Sequence, residues 1–184
     1  AGRPGFGVFV KVVDPNGDEV PRNTVGEIIV RGPNIMLGYW NKPEETRQAL
    51  RNGWLHTGDG AYMDDAGYLF IVDRIKDMIV TGGENVYSAE VENALAQHPA
   101  VHSCAVIGVP HERWGEAVHA VVVLRPGLQA GEDELRTHCR ALIASYKCPK
   151  SVEFRTDLPL SAAGKILKRE LRTHYWQDQP RQVS

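Results

Sequence analysis

The chain has 184 residues, a formal net charge of −2 at pH 7, 42% hydrophobic and 24% charged residues. This length can bury a core and suggests one domain, or one domain plus part of another, of which we favour the second. The near-neutral charge gives no general attraction to nucleic acid or anionic membranes. No apolar run approaches the roughly 20 residues that cross a bilayer, and the N-terminus has no signal-peptide pattern, so we expect a cytoplasmic protein.

The first part of the chain predicts a β-rich region. Apolar runs bounded by Gly, Pro, Asn and Asp indicate its strands, and Pro43 opens a short helix that ends near Gly53. The predicted elements are a strand at 8–13, a turn at 14–18, a strand at 26–32, and strands at 61–63 and 68–72 joined by a hairpin turn at 64–67.

The second part predicts an α+β order. Ser88 is the predicted cap of its first helix, and helix 132–144 has one apolar stripe formed by Leu135, Cys139, Leu142 and Ile143. The predicted elements are helix 89–97, strands 101–109 and 117–124, helix 132–144, strand 151–155 and helix 166–175. The three cysteines have no metal-type spacing, so we expect reduced thiols, with Cys104 and Cys139 in the core.

The pattern changes at Asp73-Arg74-Ile75-Lys76-Asp77, where four of five residues are charged. Such a segment predicts a solvated, flexible connector and the best domain boundary. Past it, Gly82 and Gly83 follow a short apolar run, and paired glycines permit a tight turn and close approach to the backbone.

Several motifs together resemble the adenylate-forming superfamily, which includes acyl-CoA synthetases, adenylation domains of peptide synthetases and luciferases. The loop 82–87 is most similar to that of fatty and aromatic acyl-CoA ligases. The motifs are WLHTGD at 54–59, DRIKD at 73–77, GGENVY at 82–87, HERWGE at 111–116, YKCPK at 146–150 and PLSAAGK at 159–165.

The resemblance implies a domain organisation. Residues 1–73 would be the terminal β subdomain of a large N-terminal AMP-binding domain whose remainder is missing, and 74–76 would be a hinge. Residues 77–176 would be the complete small α+β C-terminal domain, followed by a polar tail at 177–184.

The resemblance also implies roles in adenylation. Asp59 and Arg74 would contact the ribose of the nucleotide, since a carboxylate accepts hydrogen bonds from both ribose hydroxyls. Lys76 would be the hinge residue. Lys165 would be catalytic, because its ammonium can reach both a carboxylate and the α-phosphate of ATP. Taken alone, Asp59 could cap a turn, and Lys165 could belong to a basic surface helix.

For coenzyme A, the resemblance implies contacts from Gly82, Gly83, Trp114, Lys147 and Lys150. The two glycines would line the pantetheine tunnel. Trp114 could equally be a packing anchor, and the two lysines could form a solvated basic turn. No metal site is expected in this chain, because His111, Glu112 and Glu116 match no common zinc spacing.

The resulting expectation is the C-terminal part of an acyl-CoA synthetase for a fatty or other medium- or long-chain acid. Its cofactors would be ATP and CoA, with the main Mg²⁺ ligand outside this chain, and the chain alone would not turn over. One alternative is a non-catalytic module that binds nucleotide or CoA, or docks onto a partner. Another is a luciferase-like or carrier-loading adenylating enzyme.

Overall fold

The computed structural model describes residues 1–177 and divides the chain into two compact units, Ala1–Ile75 and a second that begins at Lys76. Each unit has its own sheet and apolar core, and the α+β fold class is confirmed. The division falls within the predicted hinge 74–76, but the hinge and the domain assignments stay predictions. Of the predicted tail 177–184, residues 178–184 lie outside the described part.

The first unit is a β sheet with one short helix. Its elements are β1 (Phe9–Val13), β2 (Gly26–Arg31), α1 (Pro43–Ala49), β3 (Leu50–Arg51), β4 (Trp54–Met63) and β5 (Leu69–Arg74). β1, β2 and β4 are neighbours in the sheet, and β3 and β5 each pair with β4, all antiparallel. β4 begins earlier than the strand predicted at 61–63, so the WLHTGD motif lies within a strand.

The turn between β1 and the following segment forms as predicted. The Asp14 carboxylate oxygen Oδ1 accepts hydrogen bonds from the backbone N–H groups of Asn16 and Asp18, each at 2.9 Å. These bonds favour the ionised carboxylate and lower the pKa of Asp14.

Within residues 76–177, the second unit is a mixed sheet covered by three helices. After a 3-10 turn (Ile75–Asp77) come β6 (Ile79–Thr81), β7 (Glu84–Val86), α2 (Ser88–Ala96), β8 (Val101–His111), β9 (Gly115–Leu124), α3 (Glu132–Leu142), β10 (Ser151–Phe154) and α4 (Lys168–Thr173). The order is β10-β9-β6-β7, and β8 also pairs with β9. Among the pairings of these described strands, only β9–β10 is parallel.

Apolar side chains cover both faces of the β8–β9 hairpin. Successive residues of a strand point to opposite faces, and Cys104 and Val106 belong to one core cluster while Ala105 and Ile107 belong to another. Residues of α2 and α3 pack in the first cluster and Leu171 of α4 packs in the second. Burial on both faces explains the continuous apolar runs of these strands.

The segment predicted as a solvated connector is more ordered than expected. Asp73 and Arg74 extend β5, and the Asp77 side chain is 12% exposed because it pairs with Arg172 on α4, with Arg172 Nη2 2.9 Å from Asp77 Oδ1. The expectation that all four charges are solvated was therefore wrong, since one of them has a partner 95 residues away.

Ser88 does not cap α2. The N-cap position is Tyr87, and Ser88 is fully buried, with its Oγ accepting a hydrogen bond of 2.7 Å from Lys168 Nζ. A serine before an apolar run fits a cap, but here the hydroxyl is hydrogen-bonded to Lys168, which is distant in sequence.

Three helices are shorter than predicted, and the first of them, α1, ends at Ala49 and not near Gly53. The stripe of helix 132–144 is only partly correct, because α3 ends at Leu142, which is 45% exposed, while Leu135 and Cys139 are fully buried. The last helix begins at Lys168 and not at residue 166.

The three cysteines are free thiols, and all of them are buried. Burial raises the pKa of Cys104 to about 12 and that of Cys139 to about 11, which keeps both thiols protonated and unreactive. Within residues 1–177, none of the helices combines the length and the apolar character needed to cross a membrane.

The two leucines of α3 provide a test of the core. Leu135→Ala should lower the free energy of unfolding by about 2–5 kcal/mol, because it leaves a cavity in the second unit. Leu142→Ala removes the same atoms from an exposed position and should cost less than about 1 kcal/mol. Urea unfolding measures both changes, and equal losses would contradict this packing.

Candidate nucleotide and coenzyme site

The structure places Asp59 directly opposite Arg74. The two residues are partners in the β4–β5 register, and Arg74 Nε lies 3.4 Å from Asp59 Oδ1. The Asp59 side chain is 36% exposed and that of Arg74 is 54% exposed, so both can still contact a ligand. The two residues that the motifs assign to ribose are thus adjacent, although they are 15 residues apart in sequence.

A β-bulge sets the direction of Asp59. In the β2–β4 register, Glu27 pairs with Gly60 and Ile29 with His56, so three residues of β4 lie opposite Ile28 alone. Gly58 has φ +72°, a left-handed value that favours glycine. The Thr57-Gly58 segment is therefore a bulge within a strand, and not a turn that Asp59 caps.

Hydrogen bonds within and around the bulge hold this geometry. The Thr57 hydroxyl donates to the Ile28 carbonyl at 2.9 Å and accepts from the Asp59 backbone N–H at 3.1 Å. Glu27 accepts from the Gly58 N–H at 3.0 Å through Oε1, and its Oε2 lies 2.7 Å from His56 Nδ1. Sequence reasoning missed Glu27, because its partners lie about 30 residues away and no motif contains it.

Gly82 and Gly83 form the two-residue turn of the β6–β7 hairpin. Their φ angles are +61° and +86°, a combination that suits the tight hairpin turns requiring positive φ at both central residues. Both are exposed, and a Cβ built on Gly83 would meet no atom within 4 Å. The turn therefore offers bare backbone at the surface of the second unit. Strand β7 was not predicted.

Glu116 anchors the strand before this turn. Its side chain is buried, and Oε2 accepts a hydrogen bond of 3.1 Å from the Val80 backbone N–H. A Cβ at Gly108 would overlap the Glu116 carboxylate, so any side chain at that position would displace the carboxylate from Val80. The glutamate of the HERWGE motif thus joins β9 to β6 and positions the glycine turn.

Trp114 lies beside the same turn. Its carbonyl accepts a hydrogen bond of 2.9 Å from the Gly82 N–H, its indole stacks on His111 with centroids 4.2 Å apart, and Lys150 Nζ lies 5.1 Å from the ring centroid. The structure therefore brings together Gly82, Gly83, Trp114 and Lys150 of the predicted coenzyme contacts.

Lys147 has a protein partner. Its Nζ lies 2.7 Å from both carboxylate oxygens of Glu90 on α2, and its side chain is 21% exposed. Cys148 is buried, so its thiol is not available for a coenzyme contact. The Lys147 assignment stays a prediction, and the pair with Glu90 gives this lysine a structural role of its own.

Lys165 is presented by a short loop before α4. The loop is closed by a bridge between Leu160 and Ile166, and the Lys165 N–H donates to Ser161 Oγ at 3.1 Å. The Lys165 side chain is exposed and has no hydrogen-bond or ion-pair partner within residues 1–177. The backbone is thus fixed while the ammonium group is available.

Among the described residues, no group of three or more His, Cys, Asp or Glu side chains could hold a metal ion. The candidate site residues lie mainly in three places. These are the Asp59–Arg74 pair in the first unit, and the glycine turn and the Lys165 loop in the second.

Two family models match the sequence. The model described as AMP-binding enzyme matches residues 1–40, and that described as AMP-binding enzyme C-terminal domain matches residues 90–165.

Relatives are similar over nearly all of the chain. A feruloyl-CoA synthase of Amycolatopsis sp is 53% identical over 95% of the chain. The fatty acid–[acyl-carrier-protein] ligase ScoC of Streptomyces coeruleorubidus is 48% identical over 100% of it. The chain spans 36% of each relative's length. The solved structure of o-succinylbenzoate CoA synthetase from Bacillus subtilis, in complex with its acyl-adenylate intermediate, superposes with a TM-score of 0.85 at 38% identity, covering 91% of the chain and 34% of that protein.

The chain belongs to the AMP-binding, or adenylate-forming, enzyme family, as its motifs indicated.

The role of Glu27 can be tested without a ligand. Glu27→Ala removes the acceptor of the Gly58 N–H and the partner of His56, so we expect a loss of about 1–3 kcal/mol in the free energy of unfolding. Glu19→Ala breaks only the ion pair with Lys11, which is about half exposed, and should cost less than about 1 kcal/mol.

Chemical denaturation compares the two variants, and the NMR shift of the Gly58 amide reports the bulge directly. An unchanged Gly58 shift in Glu27→Ala would show that the bulge forms without this carboxylate.

Proposed function

We propose that the chain is the part of an acid–CoA ligase that closes the nucleotide site and admits coenzyme A. The whole reaction joins a carboxylic acid to ATP, which gives an acyl-adenylate and diphosphate. The acyl group then passes to the CoA thiol, which gives acyl-CoA and AMP.

The observation that carries this proposal is that the Lys165 side chain is exposed while its backbone is held by a hydrogen bond. Within residues 1–177 the Lys165 ammonium has no partner while its loop is fixed, so its charge is available for a ligand, and the PLSAAGK segment of this loop resembles the family's motif. In the adenylation step its ammonium would neutralise charge on the attacking carboxylate and on the α-phosphate oxygen, which lowers the barrier for nucleophilic attack at phosphorus.

For the nucleotide, Asp59 would accept hydrogen bonds from the ribose hydroxyls while Arg74 holds the carboxylate in place from the neighbouring strand. Any Mg²⁺ bound with ATP would take its main protein ligand from outside this chain.

For the thioester step, Gly82 and Gly83 would lie along the pantetheine arm of CoA, since their exposed backbone leaves room for a thin chain. Lys76 would be the hinge about which the second unit rotates between the two steps. Trp114 and Lys150 flank the glycine turn and would contact the nucleotide end of CoA.

A second candidate differs only in the acyl acceptor. Similarity to ScoC over the whole chain favours transfer to a phosphopantetheine arm carried by a protein. Both acceptors end in the same thiol and fit the same glycine turn. Supplying CoA and a phosphopantetheinylated carrier protein in parallel assays distinguishes the two.

The role of Lys165 can be tested in a fusion that joins this chain to the upstream part of the feruloyl-CoA synthase. We expect Lys165→Ala to slow acyl-adenylate formation by about 100-fold or more, the effect of losing one donor to the transition state. Thioester formation from supplied acyl-adenylate and CoA should continue near the wild-type rate.

Arg169→Ala, at an exposed position on α4, is the matched control and should change neither step. Equal losses in both half-reactions of Lys165→Ala would show that the lysine serves the fold and not adenylation.

The glycine turn can be tested in the same fusion with Gly83→Leu. We expect adenylation to persist and thioester formation to fall at least tenfold, because the side chain would occupy the path of pantetheine. The positive φ alone costs about 1 kcal/mol or more. Gly127→Leu carries the same strain, with φ +78° and no atom within 4 Å of its Cβ, in the exposed turn between β9 and α3.

If Gly127→Leu slows thioester formation as much as Gly83→Leu does, the effect is strain and the tunnel assignment is wrong.

A further inference from the structure

Arg172 on α4 binds the C-terminal side of the proposed hinge. Its Nη1 donates to the Lys76 backbone carbonyl at 3.1 Å, and its Nη2 donates to Asp77 Oδ1 at 2.9 Å. The Arg172 and Asp77 side chains are 11% and 12% exposed, so water competes little for this contact. One planar guanidinium thus holds a main-chain carbonyl and a carboxylate together.

The helix that carries Arg172 is itself anchored to the second unit. Lys168 Nζ lies 2.7 Å from Glu92 Oε1 and 2.7 Å from Ser88 Oγ, both on α2. Glu92 Oε1 also accepts a hydrogen bond of 2.7 Å from the Val106 N–H of β8. Leu171 is buried among the β8–β9 side chains. The guanidinium is therefore a fixed point and not a mobile surface group.

We infer that Arg172 is a positioning residue that clamps the Lys76 carbonyl and Asp77 to the body of the second unit and thereby fixes where the hinge turns. A carbonyl held by a rigid donor fixes the peptide plane between Lys76 and Asp77 relative to the second unit. Rotation must then use the torsions on the N-terminal side of that plane, namely ψ and φ of Lys76 and those of Arg74 and Ile75. This inference rests on the proposed function only in assuming that the unit rotates.

The same helix follows directly after the Lys165 loop. With the clamp in place, the hinge end and the Lys165 loop move as one body, so a turn at the hinge carries Lys165 with it. Without the clamp, α4 no longer holds the peptide plane between Lys76 and Asp77, and the second unit no longer has one defined pivot.

Trypsin tests the clamp in the 184-residue chain, because it can cleave after Arg74 or after Lys76. Proteases need an extended, released backbone, and the Arg172 bond lies on the carbonyl that would be attacked at Lys76. For each protein, the rate of cleavage after Lys76 in the folded chain is divided by the rate in the urea-unfolded chain. We expect this ratio to be at least tenfold higher in Arg172→Gln than in wild type.

Arg169→Gln is the matched control, since it removes the same charge from an exposed position of the same helix. Arg172→Lys keeps the charge but not the two-point contact, so it should give intermediate cleavage. Both variants are measured below their unfolding temperatures. Equal rates of cleavage at Lys76 in Arg172→Gln and Arg169→Gln would show that Arg172 does not clamp the hinge.

The functional half of the inference is tested in the fusion with the feruloyl-CoA synthase. We expect Arg172→Gln to slow single-turnover thioester formation from supplied acyl-adenylate at least tenfold, with Arg169→Gln unchanged. A wild-type rate in Arg172→Gln would overturn the role in the hinge. A fusion of unaltered sequence that forms no acyl-adenylate would instead count against the proposed function, and the trypsin result would still decide the clamp.

Discussion

A six-residue helix cannot hold itself together in water, and the proposed chemistry of the second unit depends on how α4 is held. Lys168 ties it to α2, Arg172 ties it to the turn at Lys76 and Asp77, and Leu171 fills the core beneath it. Both ion pairs are largely withdrawn from water, so removing one partner leaves the other charge unpaired in a poorly solvated place. These contacts also position the Lys165 loop, because the loop directly precedes α4 in the chain.

The glycine turn is also held in position by a buried charged residue. Glu116 is buried where β9, β8 and β6 meet, and its bond to Val80 fixes the strand that leads into Gly82. In the first unit, Glu27 does the same for the bulge that directs Asp59. In each of these three places, a ligand can reach the candidate site residue. A buried or half-buried charged residue nearby has protein partners and holds that site residue in position.

Local patterns were sufficient to predict most of the fold. Alternating and continuous apolar runs located the main strands, and the Asp14 turn and the Gly82-Gly83 turn followed from residues whose backbone preferences are strong. The errors came from partners distant in sequence. Ser88 fits a helix cap but bonds to Lys168, and Asp77 fits a solvated connector but pairs with Arg172. Glu27 lies outside any recognisable site pattern, and the pairing of Glu90 with Lys147 could not be predicted, because the partners of both glutamates become neighbours only in the folded chain.

The most direct test of the account is whether this chain completes a ligase. The upstream part of the feruloyl-CoA synthase would be assayed alone and after fusion to the 184-residue chain, with diphosphate release and acyl-CoA formation measured together. The account predicts that the upstream part alone makes no acyl-CoA and that the fusion releases diphosphate and makes acyl-CoA in equal amounts. A folded fusion that makes no more acyl-CoA than the upstream part alone would contradict it.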